Sequence, residues 1–301
     1  MEELELLEKL KHGLLDVNKE ISDTKKYFGH SNPKWKNSVK AQKYYLWNLK
    51  DNLYQTVNTK QKLGSGSKAI RSSAALIYNT LLSGKIKTIN GKEYKGYKSV
   101  YELPFRAIKD DKDSTHTAKL DAGLISVDES SLLLFEAKCM EWFDKNPKGL
   151  KKAYLKEARY LYKESAEIFI PLFREYINSD EVIEKGVITY NPKDIRYDAI
   201  QMLIHCLGIY NWCFENKKKA KETFKNIRLV NLVWDYNCDE YKEEEKEGLR
   251  FVEDINKKLR AHFNDLDVKF SVEYVRYSDF LTRVDWSNDL EHRAYLKRYE
   301  V

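Results

Sequence analysis

"LDAGLISVDESSLLLFEAKCMEW", residues 120 to 142, sets Asp121 at the mouth of one apolar run and Glu136 and Lys138 near the end of the next. Leu124 to Val127 and Leu132 to Phe135 are short β-prone runs, and Asp128-Glu129-Ser130-Ser131 between them has the composition of a turn. The stretch therefore reads as a β-hairpin. With Val127 facing Leu132, antiparallel pairing sets Gly123 opposite Glu136 and Asp121 opposite Lys138, so that all three charged side chains project from one face. A carboxylate on a partly buried strand is costly unless it is paired or holds a cation, and two acids with one lysine leave an excess of negative charge. A divalent cation settles that excess. Hard oxygen donors, few in number and completed by water, suit Mg²⁺.

An acid opening one strand and a Glu-x-Lys closing the next resembles the PD-(D/E)XK nuclease superfamily, here in Asp121 and Glu136-Ala137-Lys138. The resemblance implies that Asp121 and Glu136 ligate Mg²⁺ or Mn²⁺, with the Ala137 carbonyl as a further ligand, and that Lys138 orients the attacking water. No proline precedes Asp121, a departure at a weakly kept position of that pattern. Glu102 is the candidate for a third metal-binding acid, since some relatives supply an extra one. Downstream, "RYDAIQMLIHCLGIYNW" (196–212) reads as a largely buried helix carrying Asp198, Gln201 and His205 on one stripe. A glutamine on the helix after the Glu-x-Lys strand is frequent in the superfamily, which makes Gln201 the fourth candidate catalytic residue. His205 joins the candidates for nucleic-acid contact.

The order of elements fits the same resemblance. Residues 68–84 have helical spacing with Gly84 as C-cap, and 99–108 read as a first strand. After the hairpin and the Gln201 helix come a strand over 227–236, an amphipathic helix over 243–263 and a strand over 268–275. The expected class is α/β, a restriction-endonuclease-like core with a central mixed β-sheet flanked by helices. Residues 147–177 read as a helical insertion, spanning about 145–180, kinked or divided at Pro171. Its stripe of Tyr154, Tyr162, Phe169, Phe173 and Tyr176 reads as packing, with substrate contact as the alternative.

Charge is unevenly placed. Residues 24 to 71 carry eleven basic side chains against the single acid Asp51, within a chain whose total is +6. Trp35, Tyr44, Tyr45, Trp47 and Tyr54 are interleaved with them, a composition suited to phosphates and stacked bases. Lys34, Lys36, Lys40, Lys43, Lys68 and Arg71 are the candidate DNA contacts. The expected organisation is a helical, basic N-terminal arm over 1–66 and a nuclease-like domain over 67–301. "LGSGSK" (63–68) lacks the spacing of a phosphate-binding P-loop and reads as a linker. Cys139, Cys206, Cys213 and Cys238 show no C-x-x-C spacing and read as reduced, buried thiols. No run of about 18 apolar residues exists, so the chain is expected to be cytoplasmic without a membrane partner. The expected activity is metal-dependent cleavage of DNA in restriction or defence, with RNA as a further substrate class and a homodimer as the arrangement for cutting both strands. The alternative is a catalytically inactive nuclease-fold module that binds nucleic acid or a partner.

Overall fold

The computed structural model describes Leu6, Lys9, residues 73–82, 86–97, 102–109, 114–139, 141–143, 148–177, 182–184, 187–190, 196–221 and 223–286, together with His292, Leu296 and Tyr299. Lys34, Lys36, Lys40, Lys43, Lys68 and Arg71 lie outside the described residues.

Eight residues with a near-continuous apolar character, Ser131–Lys138, form strand β6 in the interior of a seven-stranded mixed sheet. On one side β6 runs parallel to β10 (Asn226–Val233), which runs parallel to the edge strand β11 (Lys269–Arg276). On the other side the sheet is antiparallel, through β5 (Ala122–Ser126), β2 (Lys92–Gly96), β1 (Ile86–Ile89) and β12 (Val284–Trp286). Asn90 and Gly91, both at positive φ (52° and 74°), make the tight turn between β1 and β2. A two-stranded sheet, β3 (Leu103–Lys109) with β4 (Thr115–Leu120), and a three-stranded one, β7 (Lys148–Lys151), β9 (Val187–Tyr190) and β8 (Val182–Glu184), complete the strands.

Alternation along the strands divides the apolar residues between two cores. Leu132 and Leu134 of β6, Ile227 and Leu229 of β10 and Phe270 and Val272 of β11 face α2 (Lys163–Tyr176), α3 (Ala199–Lys218) and α4 (Asp239–Asn264). Leu133, Phe135 and Ala137, with Val230 and Leu232, face α1 (Ser73–Ile77, continuing as a π-helical turn over Tyr78–Leu82) and α5 (Tyr277–Thr282). Leu6 is fully buried in this second core, and the Lys9 ammonium donates to the Tyr236 hydroxyl at 2.8 Å. At these two positions the chain packs against the body of the protein. At the parallel end the edge strand is capped at one residue: the Asn256 side chain of α4 donates to the Val272 carbonyl and accepts from the Val272 N–H, each at 2.8 Å.

The hairpin register differs from the expected one by two residues. Ile125 pairs with Leu132 and Ala122 with Phe135, which brings Asp121 alongside Glu136, not Lys138. Val127 is 53% exposed and belongs to the turn. Asp128 organises that turn by accepting from the Ser126 hydroxyl and from the N–H and hydroxyl of Ser130. Asp121 occupies a bend between β4 and β5, so one continuous stretch leaves the small sheet at Leu120 and enters the large one at Ala122.

Three further expectations need correction. The first strand begins at Leu103 and belongs to the small sheet, and the β1–β2 hairpin precedes it. Residues 148–162 are not helical: β7 pairs with β9, and short 3-10 turns follow, because Leu150, Tyr154 and Tyr160 bury into the first core. The helix that does form runs unbroken through Pro171, held by burial of Phe169, Leu172 and Phe173. His116 lies in β4, with both ring nitrogens close to the Lys151 ammonium.

Candidate active site

Glu136 continues the Leu132–Leu134 alternation, so it points to the α3 side of the sheet, beyond the last apolar layer. In register it lies beside Asn231 of β10, and Asn231 lies beside Tyr274 of β11. A polar row thus crosses the ends of the parallel strands above the Leu134–Leu229–Val272 layer. The carboxyl end of parallel strands is where open α/β sheets gather ligands.

Asp198 caps α3 by accepting from the Gln201 N–H at 3.0 Å, which fixes Gln201 in the first turn above Glu136. The Lys138 ammonium donates to Glu136 Oε1 at 2.8 Å and to Gln201 Oε1 at 2.6 Å. The Gln201 amide nitrogen donates to the same Glu136 oxygen at 2.8 Å. His205, one turn along α3, sets Nε2 3.2 Å from the other carboxylate oxygen, outside good hydrogen-bonding alignment. Asp121 reaches the same strand differently: its Oδ2 accepts from the Ala137 N–H at 2.7 Å. Asp121, Glu136, Ala137, Lys138 and Gln201 are therefore gathered in one place.

The two acids are driven apart in proton affinity. Burial, then the charge of Glu136, push the Asp121 carboxyl well above the ordinary carboxylate range, and the Ala137 N–H and Lys138 only partly oppose them. Burial also works against the Glu136 anion, but Lys138 and the neighbouring His205 ring outweigh it and hold Glu136 down to about 2. Lys138 is kept cationic: burial disfavours its charge, and Glu136, Glu141 and Asp198 overcome that. Paired carboxyls pushed in opposite directions are how functional sites divide acid from base roles.

One nominated residue lies elsewhere, and another joins the cluster itself. Glu102 is exposed and its carboxylate accepts from Lys119 at 2.9 Å, so the structure does not bring it to the cluster. His205 is 2% exposed and is held against Glu136, not on a surface open to nucleic acid. Other groups join from segments that the sequence did not single out. Glu141 caps the Cys139 N–H. Glu247 of α4 accepts from the N–H groups of Arg196 and Tyr197 at 3.0 and 2.9 Å and so pins the entry to α3. Glu244, 3% exposed, accepts from the Tyr274 hydroxyl. Gly248 makes that contact possible, because a Cβ there would fall 2.5 Å from the Tyr274 ring. One signal was available: Glu244 sits three residues after Tyr241 and seven before Phe251, on the buried stripe of α4.

Glu244 is raised to about 8 by burial, with Glu247 adding to the shift and the Tyr274 hydroxyl and Lys138 opposing it. Between the ordinary glutamate value and that one, the folded chain keeps a proton that the unfolded chain has lost. Stability therefore falls as pH rises across the window, by at most about 1.4 kcal/mol per pH unit. Glu244→Gln is expected to flatten this slope, measured by urea unfolding at about pH 5.5 and about pH 8.5. An unchanged slope would contradict the shift.

Among the described residues no three or more His, Cys, Asp or Glu side chains form a complete metal cage. Mg²⁺ does not require one, since it is held by one or two carboxylates and keeps several waters. The mutual repulsion of Asp121 and Glu136 is what such a cation relieves, so the donor set fits it. No family model, curated protein or solved structure matches the chain.

Proposed function

We propose that the chain is a metal-dependent endodeoxyribonuclease with a restriction-endonuclease-like core, hydrolysing DNA phosphodiester bonds in a restriction or defence role. One observation carries the reading: Asp121, Glu136, Lys138 and Gln201, drawn from a strand bend, a central strand and a helix start, converge at the carboxyl end of the parallel strands. Asp121, Glu136 and the Ala137 carbonyl would hold Mg²⁺ or Mn²⁺. The bound cation supplies Lewis acidity toward the scissile phosphate and makes a water molecule more acidic. Lys138, anchored by Glu136 and Gln201, offers its remaining N–H to the attacking water and offsets the charge that develops on the phosphate. In-line attack leaves a 5′-phosphate and a 3′-hydroxyl, as the family resemblance implies. The basic segment 24–71 would follow the DNA backbone.

The second reading, a nuclease-fold binding module without chemistry, draws on the saturation of Glu136, whose two oxygens already meet Lys138, Gln201 and His205. Incubation with supercoiled, linear and single-stranded DNA and with RNA, with and without Mg²⁺, separates the two. Nicking or linearisation of plasmid only with the metal supports the enzyme. A metal-independent gel shift without cleavage supports the module and removes the enzyme.

A further inference from the structure

An open groove of about 570 Å³ runs along the outer edge of β11, lined by Asn256, Arg260 and Asn264 of α4 and by Lys269, Phe270 and Ser271 of the strand. That volume falls among ligand-holding clefts, which span about 300–1,000 Å³. The three α4 residues recur every four positions and so share one stripe of the helix. Arg260, Asn264 and Lys269 are exposed, and Phe270 forms a buried floor, its ring stacked on Phe263 with centroids 4.0 Å apart. Among the described residues no acid lines the groove. The acids that flank its strand positions in sequence are engaged: Asp267 accepts from Lys217, and both oxygens of Glu273 accept from Arg228. Asp265, past the end of α4, is not part of the lining. Arg260 and Lys269 have no ion-pair partner among the described residues. Strand alternation turns the Phe270 N–H to the same side as the Val272 N–H, so a backbone donor joins the two cations.

Cationic, donor-rich lining calls for a polyanion. An acidic peptide adding itself as a strand needs a ladder, and Asn256 already holds the N–H and carbonyl of Val272. A phosphodiester chain needs only cations and donors. We propose that the groove holds the phosphate backbone of a nucleic-acid strand, with Arg260 and Lys269 as the cationic contacts and Asn264, Ser271 and the Phe270 N–H as further donors. Lys269 lies in register with Asn226 and Ser131, five residue steps or about 17 Å from Glu136 along the strands. The groove therefore adds affinity away from the candidate active site and touches no reacting atom. Its link to cleavage rests on the nuclease reading; the contact itself does not.

The test uses the full chain in EDTA, so that nothing is cut, and fluorescence anisotropy of labelled single-stranded DNA, duplex DNA and RNA between about 50 and about 200 mM salt. Arg260→Gln combined with Lys269→Gln removes two exposed charges. It is expected to lower affinity about tenfold at about 0.1 M salt and to reduce the slope of log affinity on log salt by about two for the duplex. Asn264→Asp, of the same shape, puts a negative charge into the lining and should also weaken binding. Lys257→Gln, on the same helix, outside the groove and paired with Glu253, controls for total charge and should leave the slope as it is. An unchanged slope in the double variant, a comparable loss with Lys257→Gln, or a wild type that binds none of the three oligonucleotides overturns the contact. Polyglutamate binding lost in the double variant, with oligonucleotide binding intact, assigns the groove to an acidic protein and overturns it as well. Groove-dependent binding by a chain that never nicks plasmid with Mg²⁺ upholds the contact and overturns the nuclease reading alone.

Discussion

Asp121→Asn is expected to abolish cleavage without loss of stability, whereas Glu136→Ala loses both. The Asp121 carboxyl is pushed toward its neutral form by burial and by Glu136, so an uncharged amide of the same shape removes a repulsion and still accepts from the Ala137 N–H. Unfolding free energy at neutral pH should be equal or higher, while cleavage falls about 10³-fold or more as an anionic donor is lost. Glu136 is different. Its removal strands the Lys138 ammonium, the Gln201 amide and the His205 ring together. Breaking a buried pair from one side costs about 3–5 kcal/mol, and the partial exposure of Lys138 places this one near the lower figure. Urea unfolding beside plasmid nicking reads both quantities. Wild-type cleavage by Asp121→Asn would end the assignment, and wild-type stability of Glu136→Ala would end the description of Glu136 as the hub.

Gly208→Ala should also be damaging, although it touches no charged group. A Cβ at Gly208 would stand 2.9 Å from the Phe105 Cβ, 3.2 Å from the Ala118 Cβ and 3.2 Å from the Phe105 carbonyl oxygen. These atoms belong to or adjoin the backbone of β3 and β4 and cannot swing aside, so α3 must lift from the small sheet. One turn beyond, Asn211 holds the carbonyls of Arg106 and Ala107 at 3.0 and 2.8 Å, and that clamp resists the lift. The strain should cost about 1–3 kcal/mol. His205 and Gln201 ride on the same helix, so the displacement is passed to Glu136 and Lys138, and cleavage should fall about 100-fold for a shift near 1 Å. A variant with unaltered melting temperature and rate would show that α3 is not the rigid support described.

The face of each charged residue was legible in the sequence although the pairing was not. Strand side chains repeat every two residues, so a register displaced by two still sends Asp121, Glu136 and Lys138 to one side. Gln201 was legible for a similar reason, because helical spacing placed it on a stripe with Asp198 and His205. Residues 148–162 misled because their Lys, Ala, Leu and Glu content favours helix, while pairing with β9, far along the chain, decides the outcome. The Asn90-Gly91 hairpin was present as a strong local signal and was passed over for the strand that follows. Glu102 carried no mark to separate it from a metal-binding acid, since its partner Lys119 comes from the next strand.

Closure of the β11 edge by Asn256 bears on how duplex DNA would be cut. Two copies that joined these margins into one continuous sheet would first have to release Asn256 from the outward amide and carbonyl of Val272. The opposite margin, β12, is only three residues long and offers little ladder to extend. Partners joined through helices or loops would leave that contact in place, and a solitary molecule would leave a single-strand nick for its first product.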